Sequence, residues 1–202
     1  MAKDALIIAL GYLIGSVPFG VVVVRAFRGE DIRTKGSGNI GASNVWRAYG
    51  RRLGLPVALL DIVKGFVPAF VGLRVGGEWV GVLAGSAAML GHARPVWLRF
   101  SKGGKMVATG GGVALALAPL AAGICLLLWI AVFVVSRYAS LASITTAIAL
   151  PLFCLALGEP WPTTFFAVVA GLSVVLLHRQ NIGRLLHGTE SRFSRRPKPS
   201  SA

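Results

Sequence analysis

Long apolar runs separated by short polar, glycine-rich segments dominate the chain, and their lengths set its architecture. The first run extends from about Ala5 to Val24 and carries Gly15-Ser16-Val17-Pro18, where proline removes a helical donor and predicts a bend or local irregularity. Arg25 and Arg28 stop it at an interface. A polar loop closed by Arg51 and Arg52 leads to a second run, Leu53–Leu73, then a turn at Arg74–Glu78 and a third run from Trp79 to about Leu98. The stretch Met106–Val135 cannot be one straight span, because such a helix would measure roughly 45 Å at 1.5 Å per residue against a hydrocarbon core of about 30 Å. Gly110-Gly111-Gly112 and Pro119 divide it into a short helix ending near Ala118 and a second helix, Leu120–Val135. A sixth run covers Leu141–Leu157 and a seventh Thr163–Leu177. The pattern predicts an all-α integral membrane protein with seven transmembrane helices in one domain, residues 1–190, followed by a polar, disordered tail, residues 191–202.

Composition and charge sharpen this picture. Of the 202 residues 55% are hydrophobic and 14% charged, with a formal charge of +14 from 21 Lys and Arg against 7 Asp and Glu. The cations lie in short segments between apolar runs, which points to lipid head groups and anionic substrates rather than to nucleic acid. With seven spans, the loops at Arg25–Arg52, Arg99–Lys105 and Arg137–Ser140 and the segment from His178 share one side. Only Lys3 and Arg74 then fall on the other, with Lys64 inside the membrane. The positive-inside rule makes the rich side cytoplasmic and leaves the N-terminus outside. Lys3 beside Asp4, with no small-x-small cleavage site after the first run, leads us to expect that this run stays as a membrane helix. Cys125 and Cys154 sit in apolar runs without metal-ligand spacing and read as small buried hydrophobes, so no metal is expected.

Chemistry concentrates in the polar segments. Lys35–Arg47 reads K-G-S-G-N-I-G-A-S-N-V-W-R. Gly36, Gly38 and Gly41 allow backbone N–H groups to converge, Ser37, Asn39, Ser43 and Asn44 add hydroxyls and amides, and Lys35 and Arg47 supply charge. Taken alone, the stretch fits a flexible connection equally well. It contains G-x-G-x-x-G, yet an apolar helix precedes it rather than a strand, so dinucleotide binding is excluded. A second loop, R-F-S-K-G-G-K at Arg99–Lys105, fails as a P-loop because Arg99 and Met106 replace the first glycine and the magnesium-binding hydroxyl. It can serve as a phosphate loop through Gly103, Gly104 and Lys105, or as a basic turn for lipid head groups. After the last run, His178, Asn181 and Arg184 share one face of any continuing helix. A histidine there is either a proton acceptor or an interfacial side chain. Ser140 either binds phosphate or caps the sixth helix. Asp61 and Lys64, spaced i,i+3 and roughly 12–17 Å into the second span, face the interior, most simply as a structural pair, and His92 takes a structural role.

Taken in order, G-S-G-N-I-G-A-S-N at 36–44 with Arg47, D-I-V-K-G at 61–65, G-H at 91–92, G-G-K-M-V-A-T at 103–109, R-Y-A-S-L-A-S at 137–143 and H-R-Q-N-I-G-R-L at 178–185 with Gly188 and Glu190 resemble the bacterial acyl-phosphate:glycerol-3-phosphate acyltransferases. The resemblance covers nearly the whole chain. It implies a seven-helix bacterial cell-membrane enzyme, active site facing the cytoplasm and functional as a monomer, that acylates the 1-hydroxyl of sn-glycerol 3-phosphate from acyl phosphate without a cofactor. Carried over by motif, Ser37, Arg47, Lys105, His178 and Asn181 are the expected catalytic residues. Gly36, Gly38, Asn39, Gly41, Ser43, Asn44, Gly103, Gly104, Ser140 and Glu190 are the expected substrate- and phosphate-binding ones. The chain departs from the pattern at Ser43, where threonine is usual, at Met106, where glycine is usual, at Arg94, where an apolar residue is usual, and in an extra Ser101.

This activity suits the residues present. An acyl phosphate carries its own leaving group, so the reaction needs positioning and charge stabilisation more than a strong nucleophile. Neither a Ser-His-Asp triad nor an H-x-x-x-x-D pattern is present, and direct transfer without an acyl-enzyme follows, with His178 or the substrate's own phosphate taking the hydroxyl proton. The rival readings are a transporter of a phosphorylated anion and a non-catalytic lipid-binding scaffold. Polar motifs crowded on one face, without a repeat, argue against the transporter.

Overall fold

A computed structural model describes residues 1–193, and every regular element among them is helical. The helices are α1 (Ala2–Gly15), α2 (Phe19–Arg28), α3 (Ala42–Tyr49), α4 (Arg51–Gly76), α5 (Glu78–Ala93), α6 (Val107–Leu117), α7 (Pro119–Ser136), α8 (Ala139–Ala156), α9 (Trp161–Leu177) and α10 (Arg179–Leu186), with short 3-10 turns at Ile32–Thr34 and Val96–Leu98. Every apolar run carries a helix, although the third, expected to reach about Leu98, stops at Ala93 ahead of Pro95, and Val96–Leu98 turns separately. The breaks fall where proline places them: α1 and α2 part at Ser16-Val17-Pro18, and Ala118, at φ −140° and ψ 70°, separates α6 from α7 ahead of Pro119. Gly110-Gly111-Gly112, expected to help break the stretch, instead run on inside α6, where Gly112 packs directly on α4.

Length qualifies the span count. The joined α1 and α2, and α4, α7 and α8 singly, are long and apolar enough to cross a membrane, and α9 with α10 makes a fifth if its 58° bend is counted as one span. Helix α6, with 11 residues, rises about 16 Å, roughly half a hydrocarbon core. Seven spans and their orientation therefore remain a reading of the charge pattern rather than of helix length. Exposed Leu127, Val134, Val135, Leu155, Leu172 and Leu176 give α7, α8 and α9 apolar outer faces.

Helix α4 is the hub, packing on α1, α5, α6 and α3. Its crossing with α6 is reciprocal: a Cβ on Gly65 would overlap the Thr109 carbonyl oxygen, and one on Gly112 would overlap that of Ile62. The two backbones therefore touch, and only glycine permits it. A buried group of Ala69, Val82, Met89, Met106, Val113, Phe166 and Val174 fills the space between α4, α5, α6 and α9. A second group, Val24, Ile32, Ile40, Val45 and Val57, seats the first polar loop on α2 and α4.

The i,i+3 pair on α4 forms as the spacing predicts. Lys64 Nζ stands 2.8 Å from Asp61 Oδ1, an ion pair by distance although not aligned as a hydrogen bond, and donates at 2.9 Å to the Val17 carbonyl in the α1–α2 break. His92 Nδ1 lies 3.7 Å from the same carboxylate oxygen. One boundary moves. The tail was expected to begin at residue 191, but Phe193 is buried, and its N–H donates to the Arg137 carbonyl at 2.9 Å. The remainder of that expected tail, residues 194–202, lies outside the described residues.

Replacing Gly112 with Val should force α4 and α6 apart and cost about 1–3 kcal/mol of overpacking strain. A thermal melt in detergent should show a lower midpoint for Gly112→Val than for the same change at Gly123, where nothing lies within 4 Å of an added Cβ.

Candidate active site

The first loop is built by its own side chains. Gly29, at φ 67°, ends α2, and Asp31 caps the following turn by accepting from the Arg33 N–H at 3.0 Å. Gly36 and Gly38 adopt φ 55° and 69°, a left-handed backbone that glycine alone enters freely. Asn44, on α3, then reaches back under the loop. Its Oδ1 accepts from the Ser37 N–H at 3.0 Å, and its Nδ2 donates to the carbonyls of Lys35 at 3.0 Å and Asn39 at 2.8 Å. Asn39 in turn accepts from the Gly41 N–H at 2.8 Å and donates to the Gly103 carbonyl at 3.2 Å, tying the first loop to the second.

This changes the role of the glycine loops. Their N–H groups were expected to converge on an anion, but those of Ser37 and Gly41 bond Asn side chains, and that of Gly38 bonds the Lys35 carbonyl. In the second loop the Gly103 and Gly104 N–H groups close the end of α5 on the carbonyls of Ala93 and His92, each at 3.0 Å. The glycines and asparagines are the frame, and the charged and hydroxyl side chains face the space it encloses. Met106 sits at φ 66°, so the position that usually holds glycine does demand a left-handed residue, and here the buried methionine side chain accompanies that conformation. Arg99 and Phe100 are also left-handed, at φ 53° and 57°, in the turn lengthened by Ser101.

The polar centre is a connected network. Lys105 Nζ donates to Asn181 Oδ1 at 2.5 Å, and Asn181 Nδ2 donates to Glu190 Oε1 at 2.7 Å. Ser140 Oγ donates to the same oxygen at 2.7 Å, and Arg184 Nε to Oε2 at 2.7 Å. The 58° bend between α9 and α10 makes this possible by turning Asn181 and Arg184 toward Glu190. Burial alone would raise the Glu190 carboxyl, but the bonds from Ser140, Asn181 and Arg184 outweigh it and hold the group below its usual value. Burial, with Arg184 nearby, pulls Lys105 down to about 8. Burial also takes His178 down to about 4, so its ring is neutral at pH 7; Nδ1 lies 2.8 Å from the Val174 carbonyl, which fixes the proton there and leaves Nε2 as an acceptor.

Two cavities meet here. A small polar one of about 250 Å³ is lined by Gly36, Ser37, Asn44, Arg47, Arg184, Glu190 and Ser191. A larger one of about 500 Å³ runs down among Leu115, Leu126, Trp129, Ile130, Phe133 and Leu150, with Lys105, Ser140, His178 and Asn181 also on its wall. Ser37, Asn44 and Arg47 line both. Ser43 and Asn39 reach only the larger one, so most of the expected residues do gather, while Gly38, Gly103 and Gly104 lie outside both linings. Arg184 was assigned no role in the sequence, and Phe193 was placed in the tail. The i,i+3 spacing of Arg184 from Asn181 was the available signal; for Phe193 there was none. Among the described residues, no three of His, Cys, Asp and Glu gather as metal ligands.

A helical membrane protein with a cationic, hydroxyl-lined site at the mouth of an apolar cavity is suited to joining a phosphorylated polar molecule to a lipid chain. The model of the glycerol-3-phosphate acyltransferase family matches residues 5–188, and the chain belongs to that family. It is 44% identical to the glycerol-3-phosphate acyltransferase of Aquifex aeolicus over 95% of this chain and 100% of that one, and 47% identical to that of Desulforudis audaxviator over 94% and 95%. A crystal structure of PlsY, an integral membrane glycerol 3-phosphate acyltransferase, in its glycerol 3-phosphate form superposes with a TM-score of 0.91 at 43% identity, covering 95% of this chain and 96% of that one. The lysophosphatidic acid form gives 0.88 at 42% identity over the same shares.

Asn44→Ala should leave the Ser37 N–H and the Asn39 carbonyl without partners, and the Lys35 carbonyl with the Gly38 N–H alone, at a cost of about 1–3 kcal/mol. Faster hydrogen exchange across residues 35–39, with α4 unchanged, is the expected readout.

Proposed function

We propose that the protein transfers a fatty acyl group from acyl phosphate to the 1-hydroxyl of sn-glycerol 3-phosphate, giving lysophosphatidic acid and phosphate, by direct attack. The observation that carries this reading is that Ser37 and Arg47 line both cavities, so they stand where a phosphorylated alcohol in the polar one meets the carbonyl end of a chain in the apolar one. The substrate oxygen bonds to the acyl carbon, and the bond from that carbon to the phosphate oxygen breaks. Arg47 and Lys105 neutralise the two phosphates, Ser37 donates to a substrate oxygen, and the hydroxyl proton passes to His178 Nε2 or to a substrate phosphate. Asn181, Ser140 and Glu190 hold Lys105 in place, and Asn39, Asn44 and the glycines hold the loops.

Direct transfer is supported by the commitments of the cavity nucleophiles. Ser140 donates to Glu190, Ser143 donates to the Ala139 carbonyl, and Cys125 Sγ faces the Thr146 carbonyl at 3.9 Å, while His178 Nδ1 bonds the Val174 carbonyl, so none of these, nor Ser37 or Ser43 on the same wall, is bonded to a histidine. Lys64 is occupied by Asp61 and Val17, which weighs against an anion path through the bundle. The placement that accompanies this function has seven spans, an external N-terminus and the site at the cytoplasmic face of a bacterial cell membrane. One chain supplies every site residue, so a monomer suffices.

Purified protein given acyl phosphate and glycerol 3-phosphate in detergent should form lysophosphatidic acid, and acyl-CoA should not replace the donor. Lys105→Met should abolish turnover with an unchanged melting midpoint. Product from acyl-CoA alone would overturn the donor assignment, and anion uptake into liposomes without product would favour a transporter.

The pH profile of kcat/KM separates the two proton acceptors. The alkaline limb should fall near pH 8 as Lys105 loses its charge. An acid limb near 4 assigns the acceptor as His178, which is neutral above that value; one near about 6, where a phosphate monoester takes up its second proton, assigns it to the substrate.

A further inference from the structure

Beyond the family match, which ends at residue 188, Ser191-Arg192-Phe193 crosses the mouth of the site as a strap. The Ser191 carbonyl accepts from Arg47 Nη2 at 3.4 Å and lines the small cavity. The Arg192 guanidinium lies over the Tyr138 ring at 4.9 Å, and the Phe193 N–H donates to the Arg137 carbonyl at 2.9 Å, which fastens the strap to the turn between α7 and α8. The Phe193 ring then lies against the Arg47 guanidinium, 4.5 Å from its centre to the guanidinium carbon, and lines the larger cavity. Trp46 and Phe133 meet that ring edge-on at 5.8 and 5.1 Å, so its plane is fixed by aromatic neighbours on α3 and α7.

Arg47 is thereby oriented from one side only. Its Nε is buried and has no hydrogen-bond partner, and no carboxylate lies within ion-pair distance of it among the described residues. Burial lowers the guanidinium from its usual value, with Glu190 acting at longer range in the opposite direction, and it stays charged throughout the working range. A buried cationic donor without a counter-ion is costly unless an anion completes it. A flexible arginine would relieve that cost by swinging into water, and the π face of Phe193 together with the Ser191 carbonyl opposes this motion.

We propose that Phe193 is a positioning residue for the reaction, holding Arg47 through its ring face so that the free guanidinium donors point at the phosphate-bearing substrate where the two cavities meet. This rests on the proposed acyl transfer for the identity of that substrate. The ring contributes to substrate capture, so its loss acts on KM while the reacting groups, Lys105, Ser37 and the acceptor, stay in place and kcat is retained.

Three variants in the full chain test it: Phe193→Ala, Phe193→Leu and Phe193→Trp. Loss of the ring face in the alanine and leucine variants should raise KM for the phosphorylated substrate about tenfold with kcat within about twofold, and tryptophan should restore it. All three should melt within a few degrees of the unaltered protein. Leucine behaving as the unaltered protein while alanine fails would show that the ring only fills space, and would overturn the proposal. So would a fall in kcat at constant KM. If even the unaltered protein forms no product, the acyl-transfer reading fails by itself; glycerol 3-phosphate affinity measured calorimetrically across the same variants then decides the strap, with equal affinities overturning it.

Discussion

The Glu190 carboxylate is the contact on which the site depends. It accepts from Ser140 on α8 and from Asn181 and Arg184 on α10, and through Asn181 it reaches Lys105 at the start of α6. One buried anion among Arg47, Lys105 and Arg184 leaves a net positive pocket, the surplus that the proposed phosphate-bearing substrates require. A neutral residue there would leave three cations facing one another with no common partner, and a second acid would cancel the surplus. The anion's burial is tolerated because three donors satisfy it.

The frame around this centre follows a different physical logic. The glycine-rich loops spend the N–H groups of Ser37, Gly38, Gly41, Gly103 and Gly104 on Asn44, the Lys35 carbonyl, Asn39 and the end of α5, which braces the loops. Charge is then delivered by side chains standing on that rigid frame. In the proposed transfer, that rigidity limits the reorganisation needed when charge moves from the attacking oxygen to the leaving phosphate. The same logic extends into the bundle, where the Gly65–Gly112 crossing lets α6 lie directly on α4 and sets the height at which Lys105 emerges.

Helix positions and breaks were legible in the sequence because proline, glycine and apolar run length act locally. The breaks at Pro18 and Pro119 fell where expected, and the gathering of Ser37, Arg47, Lys105, Ser140, Asn181 and Glu190 followed from their motifs. Two features were not legible. The partners of the loop N–H groups depend on how Asn44 and Asn39 turn, a tertiary matter that the spacing of glycines does not encode. The capture of Phe193 depends on a ring meeting Trp46 and Arg47 on α3 and Phe133 on α7, and in sequence it is one aromatic residue in a polar, proline-bearing stretch. Met106 shows the converse: its backbone demand is visible only because the position ordinarily holds glycine.

The order of these residues along the chain has a consequence for biosynthesis. Ser37, Arg47 and Lys105 are made early, whereas Glu190 and the strap come after every helix of the bundle. Chains emerge from the ribosome and organise from the N-terminus onward. A nascent chain in the membrane thus carries the two loops and their cations before it has either the Glu190 carboxylate or the Phe193 ring that lies against Arg47. A chain that stops short of Glu190 is a cationic bundle in which Ser140, Asn181 and Arg184 lack the carboxylate that joins them.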